Sequence, residues 1–177
     1  MFITFDHLER AKSGIIQKGF SVNEALNKHN LRAKYSFEVS VFLSHKNSDK
    51  KYLEHAVTIL SKAGVDVYID PLEVDGVDAK TAERIKSKIE ANKKFILLAT
   101  PDAIASRWCN WELGLGDAKK YPRHIALMPV SNSSSSWVGS EYLQLYPYIT
   151  TDYDYSFDGY KVEFQGKKVS LKDWLND

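Results

Sequence analysis

The sequence predicts an α/β protein built on a parallel sheet, on three observations. Apolar runs of strand length recur at residues 38–43, 65–69, 94–99 and 125–130. The segments between them place apolar residues at helical spacing and are long enough for crossovers. Breakers fall where an element has to stop, at Gly64 and at Asp70-Pro71. Repeated strand–helix units of this length imply right-handed crossovers with helices on both faces of the sheet.

Residues 1–35 read as a helical extension. Leu8, Ala11 and Ile15 recur at helical spacing and Gly19 is the stop. Ser21 opens a capping box with Glu24, flanked by a staple of Phe20 and Ala25. Basic and polar residues from Asn27 to Lys34 close the extension, whose expected job is packing on the main domain or a partner.

The main domain spans 36–155. Glu38 to Leu43 is its first strand, and Asp49 to Ala63 its first helix, with apolar residues at 52/53, 56/57, 59/60 and 63. Val65 to Ile69 is the second strand. A loop through Val74, Gly76 and Ala79 leads to a helix whose Ala82, Ile85 and Ile89 share a face. Lys94 to Ala99 is the third strand; a loop opened by Pro101 follows, then a helix near 107–120. Ile125 to Val130 is the fourth strand, and Asn132 to Ser136 a polar loop too short to be a linker. Residues 156–177 are expected to pack on the domain as a tail. Tyr160 to Gln165 and Lys168 to Leu171 pair there around Gly166, with Trp174 and Leu175 anchoring the last turn.

At 177 residues the chain suits one domain with a modest extension, and 44% hydrophobic with 27% charged residues is an ordinary globular balance. A net charge of +1 provides no basic footprint for nucleic acid or an anionic membrane. Cys109 is the single cysteine, which excludes an internal disulfide and points to a reducing compartment, the cytoplasm. No apolar run approaches the ~18 residues of a membrane span, and the first residues lack the pattern of a signal peptide. His7, His29, His45, His55 and His124 never pair at metal-ligand spacing, so no metal is expected. Gly114-Leu-Gly116 lies late in a helix without the strand and third glycine of a dinucleotide fingerprint.

The chemistry concentrates in Ser106-Arg-Trp-Cys-Asn-Trp-Glu112. Trp108 and Glu112 sit four apart, so an indole and a carboxylate share one helix face just past a buried strand. Ser106 is placed to cap that helix, Trp111 to face the core, and Asp49 to be the N-cap or a first-turn acid of the helix after the first strand. Cys109 has no companion that would make it a nucleophile. An isolated glutamate near a helix start is ordinarily a solvated carboxylate favoured by the dipole.

Three segments in order resemble a TIR (Toll/interleukin-1 receptor) domain of the bacterial type: Val41-Phe-Leu-Ser-His45 with Asp49, Val67-Tyr-Ile-Asp70 with the loop to Gly76, and Ser106 to Glu112. The resemblance covers residues 36–150. It implies a flavodoxin-like three-layer fold with about five parallel strands in the order 2-1-3-4-5. Ligands of such sheets bind beyond the strand ends where the order reverses, between strands one and three. Ser44 and His45 end strand one, residues 100–108 follow strand three, and residues 71–79 flank both.

Many bacterial TIR domains cleave the nicotinamide–ribose bond of NAD+, and Glu112 occupies the W-x-x-x-E position of their essential glutamate. The resemblance thus implies an NAD+ glycohydrolase or cyclase with Glu112 catalytic. It also implies Ser44, His45, Lys46, Asp70 and Trp108 on the substrate, and Pro71, Leu72, Glu73 and Gly76 in a lid that mediates self-association. The loop is acidic (Glu73, Asp75, Asp78), which disfavours a phosphate contact at its tip. NAD+ is the implied substrate and no further cofactor is expected. Implied partners are other TIR domains and an effector reached through the nucleotide product, as in Thoeris-like antiphage defence. The alternatives are a non-enzymatic TIR–TIR adaptor and, more distantly, an N-glycosidase of free nucleosides.

Overall fold

The computed structural model describes residues 1–16, 39–70, 78–131, 137, 141–152 and 157–177. The expected capping box at Ser21 and Glu24, the stop at Gly19 and the polar loop 132–136 lie outside the described residues, as do the side chains of Ala11 and Ile15.

In chain order the elements are β1 (Ile3–Thr4), α1 (Phe5–Ile16), β2 (Ser40–Ser44), α2 (Lys50–Lys62), β3 (Asp66–Ile69) and α3 (Ala79–Ala91). They continue with β4 (Lys94–Ala99), α4 (Pro101–Ala105), α5 (Arg107–Lys119), β5 (Ile125–Ser131) and β6 (Tyr148–Thr151). The hairpin β7 (Tyr160–Phe164) and β8 (Lys167–Ser170) then leads into α6 (Leu171–Asn176). The parallel part of the sheet runs β3-β2-β4-β5-β6. This is the expected 2-1-3-4-5 order, with β2 as the first strand of the domain. Register aligns Leu43 with Ile69 and Ser44 with Leu97, which sets the ends of β2, β3 and β4 side by side.

Each central strand is buried on both faces, which is why it reads as a continuous apolar run. Val41, Leu43, Ile96, Leu98, Ala126 and Met128 face one layer with Leu53, Ala56 and Leu60 of α2. Phe42, Phe95, Leu97, Ile125 and Leu127 face the other with Ile85 and Ile89 of α3 and Leu113 of α5. Alternate residues of one strand therefore build the two cores of a three-layer molecule.

Several elements differ from the sequence expectation. The first residues are not purely helical: Ile3–Thr4 pairs in parallel with Val130 and Ser131, and Phe2 bridges Thr150. The helix follows at once because Thr4 and His7 cap it reciprocally, His7 N–H donating to Thr4 Oγ1 at 3.2 Å and Thr4 N–H to His7 Nδ1 at 3.2 Å. Pro101 opens a short helix rather than a loop, since Thr100 accepts from the Ala103 amide at 3.0 Å and proline suits the first helical position. Tyr148–Thr151 supplies the fifth parallel strand, a segment the periodicity does not single out. In the hairpin the turn is Gln165-Gly166, with φ of 49° and 77°, the left-handed pair of a two-residue turn that matches strand twist. The five parallel strands are those expected, and β1 with the expected hairpin β7–β8 brings the sheet of the described residues to eight.

At the foot of the sheet, the Lys94 side chain is fully buried with Nζ 4.6 Å from the centre of the Trp174 ring. Burial pushes its pKa down to about 8; the Asp177 carboxylate opposes this, while Lys93 and Arg123 reinforce it. Between about 8 and the ordinary 10.5 the unfolded chain binds more protons, so this group makes stability rise with pH across that window. Lys94→Met is expected to stabilise the protein at pH 7 by about 2 kcal/mol, with the difference shrinking towards pH 10.5. Urea unfolding at the two pH values checks it.

Candidate active site

The site is assembled at the carboxyl ends of β2, β3 and β4, where the strand order reverses. Ser106, in extended conformation, caps α5 by accepting from the Cys109 amide at 3.4 Å, as its position in sequence suggests. This sets the helix phase so that Trp108 and Glu112 face the strand ends. The helix lies close on the sheet because Gly116 has no side chain; a Cβ there would sit 3.2 Å from the Phe95 ring.

Glu112 is only 3% exposed. Ser44 Oγ, at the end of β2, donates to its carboxylate at 2.5 Å, and the nearby Trp108 indole also favours the charged form. Burial pushes the Glu112 pKa up to about 7; the Asp70 charge adds to this, and the Ser44 bond and the Trp108 indole hold it back. This is a carboxylate poised at the edge of ionisation, not the solvated acid of an ordinary helix start. Trp108 and Trp111 stack with centroids 4.6 Å apart; both are half-buried and pack against the core layer of Phe95 and Leu113, so Trp111 faces the core as expected and also backs Trp108.

The remaining sequence-predicted residues divide. His45 is half-buried, and burial lowers its pKa, against a smaller opposing effect of the Leu43 carbonyl, and keeps it neutral. The Cys109 thiol donates to the His45 carbonyl at 3.3 Å and is held above its usual pKa by burial, which leaves it inert. Lys46 is exposed at the rim. Asp70 reaches the site already paired, with Arg84 Nη1 at 2.9 Å. Pro71, Leu72, Glu73 and Gly76 lie outside the described residues.

Asp49 stands at the N-cap position of α2, as expected, without acting as a side-chain cap. Its side chain makes no capping bond and instead accepts from Thr100 Oγ1 at 2.5 Å. With Ser48 donating to Asp102 at 2.9 Å, it fastens the turn after β2 to the one after β4. Sequence reasoning misses Arg84 and Tyr68 as site residues. Tyr68 lies in a quoted motif without drawing notice, and Arg84 carries no local signal at all. Arg84 Nη1 donates to the Tyr68 hydroxyl at 3.2 Å, and the Tyr68 ring rests on Phe42 at 5.5 Å.

A buried carboxylate beside an indole and a hydroxyl, at a sheet switch point, is suited to stabilising positive charge on a bound nucleotide. Among the described residues no cluster of His, Cys, Asp and Glu could hold a metal, and no helix is long and apolar enough to cross a membrane.

A family model described as TIR domain matches residues 41–161. The chain is also 31% identical over 116 residues to a protein of Bacillus cereus (strain MSX-D12) described as "Probable 3' cyclic ADP-D-ribose synthase ThsB'". That alignment covers 62% of this chain and 59% of the relative, so the chain matches little more than half of the relative's length.

Proposed function

The chain belongs to the TIR domain family, and from that premise we propose that it cleaves the nicotinamide–ribose bond of NAD+. The observation that carries this reading is the buried Glu112, bonded by Ser44 on the helix face it shares with Trp108, at the switch point of the sheet. Nicotinamide in NAD+ is a cationic pyridinium, so it departs neutral and needs no general acid. Positive charge develops instead on the ribose, in an oxocarbenium-like centre. An ionised Glu112 beside that ribose stabilises the charge and holds its hydroxyls. Trp108 offers a ring face to the base, while Ser44, His45 and Lys46 line the approach of ribose and phosphate.

Water capture yields ADP-ribose, and capture by an oxygen of the substrate itself yields a cyclic isomer. The description of the Bacillus relative as a 3′ cyclic ADP-D-ribose synthase favours internal capture. In this reading NAD+ is the substrate and no other cofactor takes part. The protein works in the cytoplasm, self-associates through TIR–TIR contacts, and its product signals to an effector in antiphage defence.

The test is concentrated protein incubated with NAD+, following nicotinamide release and the nucleotide products by chromatography. Release supports the reading, and the ratio of cyclic product to ADP-ribose separates cyclisation from hydrolysis. No release from folded protein, dilute or crowded, would move the assignment to a TIR–TIR adaptor.

A further inference from the structure

Arg84 is the least expected side chain near the site. Asp78 caps α3 by accepting from the Thr81 amide at 2.8 Å, which fixes the helix start and projects Arg84 towards the end of β3. There one guanidinium nitrogen meets both Asp70 at 2.9 Å and the Tyr68 hydroxyl at 3.2 Å. Asp70 is 10% exposed on its side chain, so a carboxylate there needs a partner.

We propose that Arg84 is a positioning residue of this site, clamping the Asp70 carboxylate and the Tyr68 hydroxyl and cancelling the charge that opposes an ionised Glu112. The inference rests on the reading of Glu112 as the working carboxylate. The ionisable groups around Glu112 come from every neighbouring element. Asp70 and Tyr68 belong to the end of β3, Cys109 to the same helix, and His45 and Lys46 to the segment after β2. Burial holds the Tyr68 phenol and the Cys109 thiol above their usual values and His45 below, so all three are neutral around pH 7. Among these neighbours Asp70 is the group whose negative charge bears on Glu112, and Arg84 is its ion-pair partner. Both oxygens are met by the one nitrogen Nη1, so a lysine ammonium keeps the charge, and its shorter reach makes it an incomplete replacement.

The experiment titrates the Glu112 carboxyl by carbon NMR, its signal assigned by its loss in Glu112→Gln, alongside the pH profile of kcat/KM for nicotinamide release. Arg84→Ala is expected to raise the Glu112 midpoint and the acid limb together by roughly half to one pH unit. Asp70→Asn is expected to lower both, and the double variant to fall between the two single variants, close to wild type, since it lacks both charges. Arg84→Lys is expected to fall between wild type and Arg84→Ala. A uniform loss of activity with an unmoved midpoint would make Arg84 merely structural and overturn the proposal. Should Arg84→Ala fail to fold, an unmoved midpoint in Asp70→Asn overturns it equally. Midpoints that shift in a protein releasing no nicotinamide would defeat the NAD+ reading while leaving the clamp intact.

Discussion

Glu112→Gln is expected to abolish nicotinamide release, by about a thousandfold or more, and to make the protein more stable at pH 8. The two effects share one cause. Burial raises the Glu112 pKa from 4.5 to about 7, so the folded protein resists the charge that the chemistry requires. Between those values the folded state binds more protons than the unfolded chain. Stability therefore falls as pH rises from about 4.5 to about 7 and stays lower above that. An amide of the same shape accepts from Ser44 without being charged, and should recover about 2 kcal/mol at pH 8. Turnover runs the opposite way in the wild type, falling as pH drops through about 7 because the anion is lost. Thermal melts at pH 5 and pH 8 with a nicotinamide assay check both arms. A variant that keeps its turnover would show Glu112 to be a structural residue.

Phe95→Ala is expected to cost about 3–5 kcal/mol, most of the margin of a small domain. The ring is fully buried in β4, stacked on Phe42 with centroids 5.6 Å apart and planes 8° from parallel. Gly116 of α5 packs close against the same ring. Removing the ring opens a void under the helix that carries Glu112, and the surrounding strands are too tightly paired to close it. Activity should fall as well, through loss of the support that holds α5 in place. Urea unfolding of Phe95→Ala beside Phe95→Leu measures the cost; a loss below about 1 kcal/mol would mean that the layer collapses onto the space.

The central strands were legible because burial on both faces writes an unbroken apolar run, as in Lys94–Ala99. The helix carrying Trp108 and Glu112 was legible from a cap and a spacing of four, both local properties. The chain ends were harder to read. A strand of two residues such as Ile3–Thr4 has no period, and it exists because a neighbouring strand end offers unpaired backbone groups. The hairpin turn at Gln165-Gly166 lacks the usual asparagine or aspartate signal, and its pairing with β6 holds it.

By itself the sequence determined the alternation of strands and helices, the strand order through its family resemblance, and the pairing of an indole with a carboxylate on one helix face. Tertiary structure alone decided the state of that carboxylate. Ser44 and Glu112 are 68 residues apart, and Arg84 and Asp70 belong to different elements, yet the register of β2, β3 and β4 brings their ends together. Burial and opposing charge act through space, so whether Glu112 is a solvated acid or a poised one depends on which distant groups the sheet sets beside it.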